Sequence, residues 1–123
     1  MNNTVLIADD SKFYCKVLKK YVENLGFKTI ICNDGESAIK EFYNFSDIIS
    51  TVFLDIYMPK IDGISVLGQM RSKHPKLNII VITSSEDPEF KSNAENYNAL
   101  FLSKPFDLEK IDNDLKNILG YSE

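Results

Sequence analysis

Three short runs, far apart in the chain, each end an apolar β-type stretch at a charged residue: Leu6-Ile7-Ala8-Asp9-Asp10, Val52-Phe53-Leu54-Asp55 and Phe101-Leu102-Ser103-Lys104-Pro105. In an open parallel sheet, ligands bind in the crevice beyond the carboxyl ends of the strands. If these strands are neighbours, three carboxylates and one ammonium converge on one point. Mg2+ takes hard oxygen ligands, usually one or two carboxylates with waters and phosphate oxygens. Crowded carboxylates repel one another unless a cation sits among them, so the cluster itself implies metal. Asp9 and Asp10 are consecutive, and adjacent strand residues point to opposite faces. Both reach one ion only if the chain leaves the strand there and turns, as Ser11-Lys12 and the onset of a helix allow. Asp55 adds a third carboxylate, with an oxygen that can receive a phosphoryl group. Lys104 supplies a point charge for incoming phosphoryl oxygens and for the charge in transfer. Thr83, ending Ile79-Ile80-Val81-Ile82, offers a hydroxyl at the same rim. Pro105 leaves the peptide bond after Lys104 free to be cis or trans. Any one of these residues is commonly a cap, a turn residue or a solvated charge. Together, at successive strand ends, they read as a Mg2+-dependent phosphoryl-acceptor site.

The elements that must position them are visible as alternating patterns. Strand candidates run Thr4 to Ala8, Lys28 to Cys32, Ile49 to Leu54, Leu77 to Ile82 and Ala99 to Leu102. They are short and nearly continuous in apolar residues, as parallel strands buried on both faces are. Between them, Tyr14, Val17, Leu18, Tyr21, Val22 and Leu25 follow helical spacing, and Gly26 makes a C-terminal stop. Ala38, Ile39, Phe42 and Tyr43 repeat that spacing after Asp34-Gly35, as do Ile64, Val66, Leu67 and Met70 after Asp62-Gly63. A last helix begins near Asp107 as its cap and buries Leu108, Ile111, Leu115, Ile118 and Leu119. The segment Glu86 to Asn96 is polar, with Phe90 and Ala94 as its apolar anchors, and is expected to be short or mobile. This order predicts one α/β domain over residues 1–123: a doubly wound (βα)5 fold, with a five-stranded parallel sheet and helices on both faces.

Composition excludes several classes. A chain of 123 residues with 44% hydrophobic and 26% charged residues is ordinary for a globular domain that buries a real core. Its net charge of -4 argues against nucleic-acid binding through a basic face. No apolar run approaches the roughly 20 residues a membrane-spanning helix needs. Met1-Asn2-Asn3-Thr4 leads into the first strand without the pattern of a signal peptide, and a cytoplasmic location is expected. Cys15 and Cys32 have no metal-ligand spacing and read as reduced, buried thiols.

The whole chain resembles the receiver domain of bacterial two-component response regulators, the CheY-like family. The matching residues are Asp9-Asp10-Ser11, Asp55 with Met58-Pro59 and Asp62-Gly63, Thr83, and Phe101 with Lys104-Pro105-Phe106. The resemblance implies a flavodoxin-like topology and a phosphoacceptor at Asp55. It implies Mg2+, with Mn2+ as a substitute, held by Asp9, Asp10, Asp55 and the backbone carbonyl of Tyr57. It further implies that Thr83 and Lys104 bind the phosphoryl group and that Phe101 is an aromatic switch turning inward when Thr83 moves. The donor would be a sensor histidine kinase or a histidine phosphotransfer protein, docking around Tyr14, Val17 and Pro105. The readout would be a surface made by the fourth helix, last strand and last helix, acting on a partner protein or an output domain. Such a domain is no enzyme, but a phosphoacceptor that assists its own phosphorylation and dephosphorylation, as a monomer or a phosphorylation-linked dimer. It binds neither nucleic acid nor membrane directly.

Departures from the family pattern are local. Tyr97-Asn98-Ala99 stands where Gly-Ala is usual; Asn98 can adopt the left-handed conformation, with the helix exit shifted by a residue. Ser84 follows Thr83 where Ala or Gly is common, and the switch position holds Phe101 rather than Tyr. A haloacid-dehalogenase-type phosphatase would need a second Asp where Tyr57 stands. A flavodoxin-type electron carrier would need a phosphate loop where Asp9-Asp10-Ser11-Lys12 would repel a flavin phosphate. The one histidine, His74, sits beside Pro75 in a loop, unlike a phosphotransfer histidine. Ending at Gly120-Tyr121-Ser122-Glu123, the chain fits a stand-alone receiver, a receiver cut from a longer regulator, or a non-phosphorylated binding module.

Overall fold

Five parallel strands form one sheet in the order β2-β1-β3-β4-β5. A computed structural model of the chain describes residues 3–58, 62–84 and 88–115, except the side chains of residues 89, 90, 114 and 115. The elements are β1 (Thr4–Ala8), α1 (Lys12–Asn24), β2 (Lys28–Cys32), α2 (Gly35–Phe45), β3 (Ile49–Asp55), α3 (Gly63–Lys73), β4 (Asn78–Thr83), α4 (Pro88–Glu95), β5 (Leu100–Ser103) and α5 (Leu108–Leu115). Pro59, Ser85, Glu86, Ile118, Leu119 and the final Gly120-Tyr121-Ser122-Glu123 lie outside the described residues, as do the side chains of Phe90 and Leu115.

Strand period two splits the core between the two sheet faces. Val5 and Ile7 of β1, Phe53 of β3, and Ile80 and Ile82 of β4 pack under Leu18, Val22 and Ile111 from α1 and α5. Leu6 and Ala8, Val52 and Leu54, and Ile79 and Val81 point the other way, onto Phe42, Leu67 and Ala94 from α2, α3 and α4. Helix starts are set by short polar caps that accept otherwise unsatisfied N–H groups. Ser11 accepts from Tyr14 N, Asp34 from Ser37 N, and Asp62 from Ile64 N and Ser65 N. Asp107 accepts from Lys110 N at 3.0 Å, the cap expected from the sequence. Gly26, at φ +96°, ends α1 in the left-handed region that glycine tolerates.

At their carboxyl ends, β3, β4 and β5 run one residue further than their apolar stretches. Asp55 still pairs in register with Ile82, and Thr83 with Ser103, because polar residues continue a backbone ladder as well as apolar ones do. At the opposite end, Leu77 N is held by His74 O and Ala99 N by Ala94 O, so β4 and β5 start one residue late. Asn98 takes φ +58°, the left-handed conformation its side chain permits.

That opposite end carries a clamp. Arg71 Nε donates to Tyr97 O at 2.8 Å, Nη1 to Pro75 O at 2.9 Å and Leu77 O at 2.6 Å, and Nη2 to Asn98 O at 3.3 Å. One guanidinium thereby ties the end of α3 to the start of β4 and the turn between α4 and β5. The Tyr97 ring lies against Gly68 of α3, where a Cβ would come within 3.3 Å of it.

Gly63, opening α3, makes a tighter approach than Gly26 or Gly68. A Cβ there would stand 2.6 Å from both the Cβ and the carbonyl oxygen of Ile56, the residue after Asp55. Helix propensity alone would reward Gly63→Ala by up to about 1 kcal/mol. Overpacking against backbone costs about 1–3 kcal/mol and wins. Gly63→Ala is therefore expected to destabilise the fold by on the order of 1–2 kcal/mol, read as a lower urea midpoint at unchanged m-value. A variant as stable as the parent would mean that the Ile56 backbone yields freely.

Candidate functional site

β1 connects first to β2 on one side and the chain then crosses to β3 on the other, so the crevice between β1 and β3 is the topological switch point of the sheet. Asp9 follows β1 and Asp55 is the last residue of β3. The chain does leave the strand after Ala8: Asp10 lies in a bend and Ser11 caps α1. That turn lets consecutive aspartates serve one point. Asp9, Asp10 and Asp55 each offer an oxygen within 4.8 Å of the others.

Asp9 is fully buried, and its backbone is pinned by neighbours from two elements. Its N–H donates to Cys32 O at 3.0 Å, continuing the β1–β2 ladder. Its carbonyl accepts from Cys15 Sγ at 3.3 Å and from Asn33 Nδ2 at 2.9 Å. Its carboxylate Oδ1 accepts from Ser11 N at 2.8 Å. Asp55 Oδ1 in turn accepts from Tyr57 N at 2.9 Å. Both carboxylates share Lys104, whose Nζ lies 3.0 Å from Asp9 Oδ2 and 3.4 Å from Asp55 Oδ2. Lys104 N donates to Thr83 O at 2.9 Å, so the β4 and β5 ends are joined, and the Lys104–Pro105 bond is cis.

The electrostatics follow from burial. Desolvation pushes the Asp9 carboxyl up from 3.8 to about 6; the Asp55 charge adds to this, and the Ser11 N–H and Lys104 offset it only in part. Burial would lower the Lys104 ammonium, but its hydrogen bonds and attraction to Asp9 and Asp55 outweigh this and hold it above its ordinary value. Burial pushes the Cys15 and Cys32 thiols up to about 11 and about 12, which keeps them protonated and inert. Asp9 Oδ2 is buried without a hydrogen bond, 3.0 Å from the Lys104 ammonium. An all-oxygen donor set with a buried carboxylate oxygen so placed fits a hard divalent cation such as Mg2+.

The remaining expected residues divide. Thr83 is buried at the end of β4, and Phe101 is half-buried on the α3–α4 face, with Lys91 Nζ of α4 5.7 Å from its ring centroid. Tyr57 and Pro105 are exposed at the rim. Tyr14 and Val17 are half-buried against the α1–α5 core rather than projecting freely. The aromatic that does project is Phe13, 65% exposed. Its position off the buried 14-17-18-21 stripe was the available signal. Asn33 and Cys15, which hold the Asp9 carbonyl, carry no sequence signal beyond lying near a strand end and on the inner face of α1.

Residues 5–116 match the family model of the response regulator receiver domain. The alkaline phosphatase synthesis transcriptional regulatory protein PhoP of Bacillus subtilis (strain 168) is 30% identical over 129 residues, covering 100% of this chain and 51% of PhoP. Transcriptional regulatory protein ZraR of Escherichia coli (strain K12) is 24% identical over 122 residues, covering 98% of this chain and 27% of ZraR. The chain thus spans about half the length of one regulator and about a quarter of the other. A chain of the CheX-CheY-BeF3-Mg2+ complex from Borrelia burgdorferi superposes with a TM-score of 0.85 at 31% identity, over 94% of this chain and 88% of that one. A two-component response regulator from Clostridium difficile does so with a TM-score of 0.83 at 28% identity, over 96% of each. Fold and crevice define a doubly wound, flavodoxin-like domain of CheY-like topology. The chain belongs to the response regulator receiver domain family of two-component signal transduction.

The Asp9 shift has a sign that can be tested without metal. Its folded value lies above its unfolded one, so its contribution to stability is full below about pH 3.8 and is lost as pH rises through about 6. In EDTA, the protein should lose on the order of 1–3 kcal/mol between about pH 4 and about pH 7 relative to an Asp9→Asn variant. Urea melts of both proteins across that window check it; parallel curves would contradict it.

Proposed function

We propose that Asp55 is the phosphoacceptor of this receiver, and that residues 1–123 work as one receiver domain in the cytoplasm. The observation that carries this reading is the meeting of Asp9, Asp10 and Asp55 within 4.8 Å, two of them bridged by Lys104. An Asp55 carboxylate oxygen forms the new O–P bond while the P–N bond of a phosphohistidine donor breaks, and the departing imidazole takes a proton from solvent. Mg2+, or Mn2+, held by Asp9, Asp10, Asp55 and the Tyr57 carbonyl, supplies Lewis-acid neutralisation of the phosphoryl oxygens when bound. Lys104, already between two carboxylates, is at hand for a phosphoryl oxygen, and the Thr83 hydroxyl for another. The protein is a phosphoacceptor that assists its own modification and hydrolysis rather than an enzyme acting on separate substrates.

The donor is a sensor histidine kinase or histidine phosphotransfer protein that docks over α1 and Pro105, near Tyr14, Val17 and the exposed Phe13. Phosphorylation draws Thr83 toward the new charge, Phe101 turns inward beneath Lys91, and the α4-β5-α5 surface changes for a target protein or output domain. The domain acts as a monomer or phosphorylation-linked dimer. The 51% span of PhoP favours a second reading alongside a stand-alone receiver: an input domain of a longer regulator.

With Mg2+ and acetyl phosphate, the chain should gain one phosphoryl group, at Asp55, by intact mass and peptide mapping. Asp55→Asn and EDTA should each abolish it. Labelling that persists in either would sink the assignment.

The switch has its own test. Beryllofluoride should shift amide resonances of β4, α4 and β5 far more than those of α1. Thr83→Ala should remain phosphorylatable but lose that pattern. A normal response in Thr83→Ala would remove Thr83 from the coupling.

A further inference from the structure

The Lys104 ammonium has a third neighbour besides the two carboxylates. Its Nζ stands 4.7 Å from the centroid of the Tyr14 ring, over the face of the aromatic. We propose that Tyr14 is a positioning residue for Lys104: its ring holds the ammonium at the point from which it serves Asp55. The proposal rests on the phosphoacceptor reading and gives Tyr14 a role apart from docking.

The half-buried ring is itself held between neighbours. Tyr14 N donates to the capping Ser11 Oγ at 3.3 Å, and Ser11 N donates to Asp9 Oδ1 at 2.8 Å. One turn of chain therefore orients both the Asp9 carboxylate and the Tyr14 ring. Phe106, buried two residues past Lys104, tilts against that ring at 4.7 Å between centroids, and Phe13 meets its edge at 5.1 Å. A lysine stem has several rotatable bonds and surrenders much rotamer freedom when held. An aromatic face attracts an ammonium most where water is scarce, and the Lys104 side chain is 15% exposed. The carboxylates are partners that Lys104 must exchange for a phosphoryl oxygen during transfer. The ring has no oxygen in that exchange, so it keeps the ammonium at the crevice while the partners change.

Acetyl phosphate brings no protein to dock, so it separates positioning from docking. Tyr14→Phe keeps the ring and should label Asp55 within about twofold of the parent rate, whereas Tyr14→Leu should be about three- to tenfold slower. In a Lys104→Gln background, Tyr14→Leu should add no further slowing. Urea melts in EDTA give a second readout: the Tyr14→Leu and Lys104→Gln effects should be non-additive in the metal-free protein too. Tyr14→Leu labelling as fast as the parent would overturn the positioning role alone. Equal slowing with and without Lys104 would overturn it in favour of plain packing. A parent protein that fails to label at Asp55 would overturn the phosphoacceptor reading and this one with it.

Discussion

Negative charge crowded at one end of the sheet is the constraint on which the rest of the molecule depends. Asp9 and Asp55 are buried beside each other, and Asp10 stands at their rim. Water cannot screen the inner two, so a cation must. In the metal-free chain that cation is Lys104, carried by the other edge of the sheet. Strands about 4.8 Å apart put β5 roughly 14 Å from β1, so a residue on β5 itself could not reach Asp9. Lys104, the first residue past β5, does so with its long side chain, Nζ lying 3.0 Å from Asp9 Oδ2. Its backbone is anchored by the bond from Lys104 N to Thr83 O, which continues the β4–β5 ladder, and Phe106 packs on Tyr14 beside it.

Much of this was legible in the residues. Aspartates and a lysine at the ends of apolar β-type runs announced the crevice, helical spacing after Asp34-Gly35 and Asp62-Gly63 announced two helices, and Asp107 announced a cap, all of which the structure contains. Asn98 adopts the left-handed turn its side chain allows. Strand ends were misread by one residue because apolar content marks burial, whereas the ladder is a backbone property that Asp55, Thr83 and Ser103 continue. The division of labour between Asp9 and Asp10 could not be read at all. They are the same residue type in succession, and only the direction of the turn after Ala8 decides which is buried. The donors to the Asp9 carbonyl were equally hidden, since Cys15 and Asn33 come from different elements and meet only through the way α1 lies on β2.

The two flanks of the crevice differ in how firmly they are built. On the α1 side, a cap, a thiol, an amide and a trio of aromatics converge on Asp9 and Lys104. On the α4 side, the eight-residue helix carries a mostly polar sequence, with Ala94 seated fully in the core. The first flank is firmly built, while the second has less apolar contact to lose if it rearranges.

Arg71 determines what kind of rearrangement that is. Its bonds to Tyr97 O and Asn98 O hold the carboxyl end of α4 to α3, and the Tyr97 ring lies against Gly68. A helix secured at one end has a fulcrum there. Any displacement of α4 would then favour tilt about its Tyr97 end over sliding of the whole helix. An eight-residue helix is about 12 Å long, so a shift of about 2 Å at its free end amounts to a rotation of roughly 10°. The guanidinium, at the opposite end of the sheet from the aspartates, would set the axis of any such tilt.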